Sequence, residues 1–216
     1  MSTKTLGAAG AVIIIAIVAV VALLSGGDDE AQASDIDGAF VAEMKPHHES
    51  AIEMAEIAQE RFQHPEIEAL AGEIIASQSE EINALDSIHE RLFGEPIGEI
   101  SHGSMGMSEE EMGAEMDAGA LETAEPFDRE FIDMMVPHHQ SAILMARIEL
   151  AEGEDEEAKS LATAIIEAQS SEIEQMNEWR TDWYGGPSPA GGVPEEGESL
   201  APAGHESGGA TEGMEH

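Results

Sequence analysis

Cysteine is absent from this chain of 216 residues. Disulfides are thereby excluded, and so is a lipobox cysteine. A soft metal site would have to use methionine and histidine. Aromatic residues are scarce at 4%, so a core must be aliphatic and Met-rich, which suits helices better than a β-sandwich. Positive charge is scarce too: 8 Lys+Arg face 46 Asp+Glu, for a formal net charge of −38. So acidic a surface repels nucleic acid and anionic lipid headgroups and argues against both as partners. It favours cations and solubility, and it equally suits a protein adapted to a salty habitat. Charged and strongly polar residues are missing altogether from Leu6 to Leu24.

At about 1.5 Å per residue, residues 6–24 make a helix of roughly 28 Å, close to the hydrocarbon thickness of a bilayer. Lys4 precedes the run and Asp28, Asp29 and Glu30 follow it, which favours N-terminus in and body out. The run exceeds the roughly 7–15 residues of a signal h-region, so residues 1–33 are expected to be an uncleaved, single-pass membrane anchor with an acidic spacer. The alternative is a signal peptide cleaved after Ala33, in the small-residue pattern Ala31-Gln32-Ala33, leaving a secreted or periplasmic body. Either way the body is extracytoplasmic.

What the chain does have is a word written twice. Met44-Lys45-Pro46-His47-His48-Glu49-Ser50-Ala51-Ile52-Glu53-Met54-Ala55 returns as Met135-Val136-Pro137-His138-His139-Gln140-Ser141-Ala142-Ile143-Leu144-Met145-Ala146. The offset is constant, 138 − 47 = 91 and 145 − 54 = 91, the mark of an internal duplication. Ser34 and Asp35 are good N-caps for a first helix, and Pro126 fits the first turn of its copy. Phe40, Met44, His47, Ala51, Met54, Ala55 and Ala58 recur at three-to-four spacing, an amphipathic face. Pro46 inside that helix frees the Ala42 carbonyl and predicts a kink before the histidines. The helix is expected to end near Gln63-His64-Pro65.

A second helix is predicted from Pro65 to Phe93, with a stripe of Ile67, Leu70, Ala71, Ile74, Ile75, Gln78, Ile82, Leu85, His89 and Leu92, ended by Gly94. Leu161, Ala162, Ile165, Ile166, Gln169, Ile173, Met176 and Trp183 repeat it, ended by Gly185. Each unit is then a helical hairpin with one apolar face that it cannot bury alone. Two hairpins should pair into a four-helix bundle over residues 34–185: repeat one 35–94, a Met-rich connector 95–125, and repeat two 126–185. The connector is expected to be flexible around His102, Met105 and Met107, with a capping box at Ser108-Glu109-Glu110-Glu111 opening a short helix that carries Met112 and Met116. Residues 186–216 are Gly/Pro/Glu/Ser-rich and read as a disordered acidic tail.

The chemistry points to metal. His47 shares a helix face with Met44 and Met54, while His48 is turned by about 100° toward a neighbouring helix. Met44, His47, His48 and Met54, with Met135, His138, His139 and Met145, are the candidate ligands; Met134, His102, Met105 and Met107 are weaker ones. Thioether plus imidazole suits copper, Cu(I) above all, and not Mg²⁺ or Ca²⁺. Gln78 and Gln169 on the apolar stripes, with Glu81 and Glu172, are candidates to orient the histidines. For the glutamines the alternative is a register-setting buried amide, and for the glutamates simple solvation. A di-iron carboxylate enzyme would need Glu-x-x-His on two helices. Here Met44 and Met135 occupy the place of that Glu, and no nucleophile–base constellation or phosphate loop is present, so binding is expected rather than catalysis.

These words, Phe40-x-x-x-Met44-x-Pro46-His47-His48-x-x-Ala51-Ile52-x-Met54-Ala55 followed by Gln78-x-x-Glu81-Ile82, and their copy through Phe131 to Ala146 with Gln169-x-x-Glu172-Ile173, resemble the ferritin-like family catalogued as domain of unknown function 305. The resemblance covers residues 35–185. It implies a secreted or membrane-anchored helical bundle, with a tandem of such words around a Met-rich connector. Some members are periplasmic copper-binding proteins tied to copper resistance, which implies a role in copper sequestration, delivery or resistance. The chain departs from the family in its acidity and in Ser50 and Ser141, where many members carry glycine or another small residue. The expected partners are a metal ion, the membrane through residues 6–24, and a copper-transfer protein of unspecified identity. The competing readings are a metal-free interaction bundle and a metal-dependent redox enzyme.

Overall fold

A computed structural model describes residues 34–94, 97, 105–108 and 116–197. The predicted anchor, the cleavage site, His102, the helix proposed after Ser108 and residues 198–216 lie outside these. The described residues form four long helices, α1 (Asp35–Arg61), α2 (Pro65–Phe93), α3 (Phe127–Glu152) and α4 (Glu156–Tyr184), and a 3-10 helix, Ala118–Thr123, with no strand among them. The chain is all-α, built from two helical hairpins, α1–α2 and α3–α4, joined mainly through α1 and α3.

Local chemistry sets the helix ends. Ser34 and Asp37 form a reciprocal capping box at the start of α1, satisfying two otherwise orphaned N–H groups. Gly94 and Gly185 close α2 and α4 in the left-handed region, at φ 70° and 86°, where a Cβ would be strained. α1 runs on through Pro46 and α3 through Pro137. α1 ends at Arg61, close to the expected Gln63–Pro65; the Arg61 side chain donates to the carbonyls of Leu121 and Ala124 and its guanidinium lies over the Phe127 ring. α3 begins one residue later than the repeat predicts, with Pro126 as its N-cap and not in its first turn.

The two repeats lock each other. Asp37 of α1 accepts hydrogen bonds from the N–H groups of Glu154 and Asp155 at 2.9 and 3.0 Å. Asp128 of α3, its equivalent 91 positions on, accepts from those of Gln63 and His64 at 2.9 and 2.8 Å. Each repeat therefore caps the interhelical turn of the other, which lays α1 and α3 antiparallel. The core follows the same exchange and falls into two clusters. Met54, Ile74, Phe131 and Met135 lie in one, and their equivalents Met145, Ile165, Phe40 and Met44 lie in the other.

Two expectations need correction. On α2 the inward residue is Ile88, 1% exposed, rather than His89, which is half-buried with its ring tilted against that of Phe93. The segment after Gly185 is not disordered from residue 186: residues 186–195 are strapped across α3 and α4. Gln140 donates to the carbonyls of Ala190 and Gly192, Arg147 to those of Pro194 and Glu195, and Asn177 to that of Gly191. Val193 packs on the core. Poor apolar content did not decide here because the strap's carbonyls find side-chain donors on the helices.

Candidate metal site

The antiparallel crossing of α1 and α3 brings the two words together. His47 and His138 meet across the repeat interface with ring centroids 3.7 Å apart and planes tilted by 36°. His48 and His139 flank them, each 6.3 Å from its neighbour in sequence. All four are buried. Burial, reinforced by the neighbouring histidines, holds both His47 and His138 well below the usual imidazole range. Both are therefore neutral at neutral pH, each with a lone pair to offer.

The outer pair turns toward carboxylates. Glu172 of α4 accepts from His139 Nε2 at 2.7 Å, and Glu81 of α2 lies 2.6 Å from His48 Nε2. Of the four residues considered for orienting the histidines, the two glutamates are the ones that reach an imidazole. Both atoms of the Gln169 amide and Oε1 of Gln78 are buried without a hydrogen-bond partner. Glu81 is buried, whereas the Glu172 side chain is 17% exposed, so the two His–Glu pairs differ in their access to water.

Ser141 was not singled out in the sequence as a functional residue. Its hydroxyl donates to the His138 carbonyl at 2.7 Å and lies 2.7 Å from His47 Nε2. A hydroxyl has one hydrogen, and here it is committed to the carbonyl. The Ser141 oxygen therefore accepts from His47 Nε2–H, which places the His47 lone pair on Nδ1. That atom, the Nδ1 atoms of His48, His138 and His139, and Nε2 of His138 find no hydrogen-bond partner. Each orphaned polar atom costs about 1–3 kcal/mol, and such a concentration calls for a partner the polypeptide does not supply. A cation taking nitrogen lone pairs fits that need.

The methionines sort across the two repeats rather than within each word. Met44 and Met145 share one buried cluster with Met105 of the connector, and Met107 is packed against it. Met54 and Met135 share the other with Met176, and Met134 is packed against that one. Each end of the α1–α3 crossing thus collects thioethers from both repeats, with the histidine words between. Met105 is 5% exposed, so it is not a loose connector residue. Among the described residues, no three His, Asp or Glu side chains converge to hold a metal ion, the four histidines included, so a metal here would draw on a histidine pair and thioethers.

The profile of the family described as Domain of unknown function (DUF305) matches residues 37–213. Among solved structures, CopM in the Cu(I)-bound form is 40% identical, with a TM-score of 0.60, over 69% of this chain and 98% of that one. CopM is also known in Cu(II)-bound, Ag-bound and apo forms. A DUF305 protein from Streptomyces coelicolor is 25% identical, with a TM-score of 0.63, over 71% of this chain and 96% of that one. Among curated sequences, 50 residues are 40% identical to the uncharacterized protein L153 of Acanthamoeba polyphaga mimivirus, spanning 23% of this chain and 33% of that protein.

Proposed function

The chain belongs to the DUF305 family, and from that premise we propose that it is a copper-binding protein on a ferritin-like four-helix bundle, holding Cu(I) through the duplicated Met/His words. The observation that carries this reading is the set of buried imidazole nitrogens without partners around the His47–His138 pair. Neutral imidazole is a ligand that binds without first losing a proton, and thioether is soft; together they favour Cu(I) over hard divalent ions. The copper- and silver-bound forms of CopM support the same metal class.

His47 and His138 face each other across the repeats, so the reading favours one nitrogen site shared between the hairpins over one site in each. Glu81 and Glu172 hold His48 and His139 in orientation. The role proposed is sequestration or delivery of the metal rather than catalysis. Residues 6–24 tether the bundle to the membrane and place it on the extracytoplasmic side.

The test is competitive Cu(I) titration of the full chain in detergent. His47→Ala plus His138→Ala should abolish the tightest site, with helicity kept by circular dichroism. Unchanged affinity and stoichiometry would make the histidines structural and leave an interaction module as the reading. Membrane attachment is checked separately by alkaline washing, which should leave the chain in the membrane fraction.

A further inference from the structure

The two central histidines stand at duplicated positions, yet they are held differently. His47 is fixed by the Ser141 hydroxyl of α3, itself pinned to the His138 carbonyl of its own helix. His138 makes no hydrogen bond of normal geometry through either nitrogen; each ring lies near the main-chain carbonyl of the other histidine, so the serine contact is what sets the two apart. The residue that would mirror Ser141 is Ser50, since 141 − 91 = 50. Ser50 is only half-buried, whereas Ser141 is 1% exposed. The duplication therefore supplies two serines and the fold uses one.

The ring geometry makes the difference consequential. An imidazole lone pair lies in the plane of its ring. Rings whose centroids are 3.7 Å apart and whose planes are tilted by only 36° are closer to stacked than to edge-facing, so their lone pairs do not point at one another. For one ion to take a nitrogen from each, at least one ring has to turn. We propose that His47 is the stationary ligand, with its Nδ1 lone pair set by Ser141, and that His138 is the ring that turns to close on a monovalent soft cation. Ser141 is then a positioning residue that makes the two histidines unequal. The inference rests on the copper reading for the identity of the cation, but the fixed tautomer of His47 belongs to the metal-free protein.

The experiment is ¹⁵N NMR of the histidine side chains in the full chain, metal-free and with Ag(I), compared among wild type, Ser141→Ala, Ser141→Thr and Ser50→Ala. Metal-free wild type should show His47 protonated at Nε2 alone, as should the Ser141→Thr and Ser50→Ala variants. Ser141→Ala should show a tautomer mixture at His47 and bind Ag(I) about tenfold more weakly, the lower end of what loss of a ligand-orienting partner costs. On adding Ag(I), the ring contacts of His138 should change while those between His47 and Ser141 persist. If His47 keeps its Nε2 proton in Ser141→Ala, the serine is not positioning it and the proposal falls. If both rings keep their metal-free contacts in the silver complex, the moving ligand is wrong although the copper reading stands. If Ag(I) leaves every histidine signal unmoved, the copper reading fails with it, while the tautomer result in metal-free protein still reports on Ser141.

Discussion

Replacing Glu149 with glutamine should stabilise the protein and flatten its response to alkali. Glu149 is fully buried near the end of α3, facing Asp37 of α1. Neither of its oxygens meets a donor, as befits a carboxyl that carries its own hydrogen and offers it to Asp37. Burial, then the hydrogen bond to Asp37 and the charge on it, push Glu149 from an ordinary 4.5 up to about 8. Burial alone would raise Asp37 as well. The N–H groups of Asp155 and Ser34 and the Glu149 carboxyl outweigh it and hold Asp37 below its usual range. Lys159 and Asp155 are the other charged groups acting on Glu149, and they act in opposite directions.

Between pH 4.5 and 8 the unfolded chain has released the Glu149 proton and the folded chain has kept it. Stability from this group is complete below the unfolded value and falls by about 1.4 kcal/mol per pH unit until the folded value is passed. At pH 7 that amounts to roughly 3 kcal/mol, an upper figure because Asp37 and Glu149 titrate together. The amide of glutamine donates to Asp37 as the acid does, has similar size and has no proton to lose. Urea unfolding followed by circular dichroism at pH 5, 6, 7 and 8 should give a variant-minus-wild-type difference that is small at pH 5 and widens steadily. The contributions of His47 and His138 are common to both proteins and cancel in that difference. Parallel profiles, or a variant weaker than wild type at pH 8, would refute the protonated pair.

Asp128→Asn should cost about 2–3 kcal/mol, the loss of charge from hydrogen bonds to two N–H groups and the His64 ring, and should speed amide exchange at Gln63 and His64. Ile74→Ala and Ile165→Ala should each cost roughly 2–5 kcal/mol, since both are fully buried at equivalent positions; near-zero losses at both would sink the paired-hairpin register. Met105→Leu keeps volume and should change stability by less than about 1.5 kcal/mol. It should nonetheless weaken Ag(I) or Cu(I) binding more than Met107→Leu does, because Met105 is the one buried with Met44 and Met145. Gln140→Ala should release the strap, seen as faster exchange and proteolysis at residues 187–195 with the helices intact.

The four long helices, and most of their ends to within a residue or two, could be read from the residues. Apolar periodicity, capping serine and terminal glycines are local signals, and local signals act through neighbours three or four positions away. The 91-residue repeat fixed the equivalence of the two hairpins, and the duplicated His-His words marked the candidate ligands. The partners of those histidines were another matter. That His47 meets His138, that Met44 shares a cluster with Met145 rather than Met54, and that Asp37 and Asp128 each cap the other's turn all follow from the antiparallel crossing of α1 and α3. A linear pattern carries no term for that crossing, because both words look the same whichever way the hairpins dock. Ser50 and Ser141 likewise stand at equivalent places in the sequence, and only the tertiary packing buries one of them against a histidine. The strap beyond Gly185 shows the same limit: its composition predicts disorder, and the donors that hold it belong to other helices.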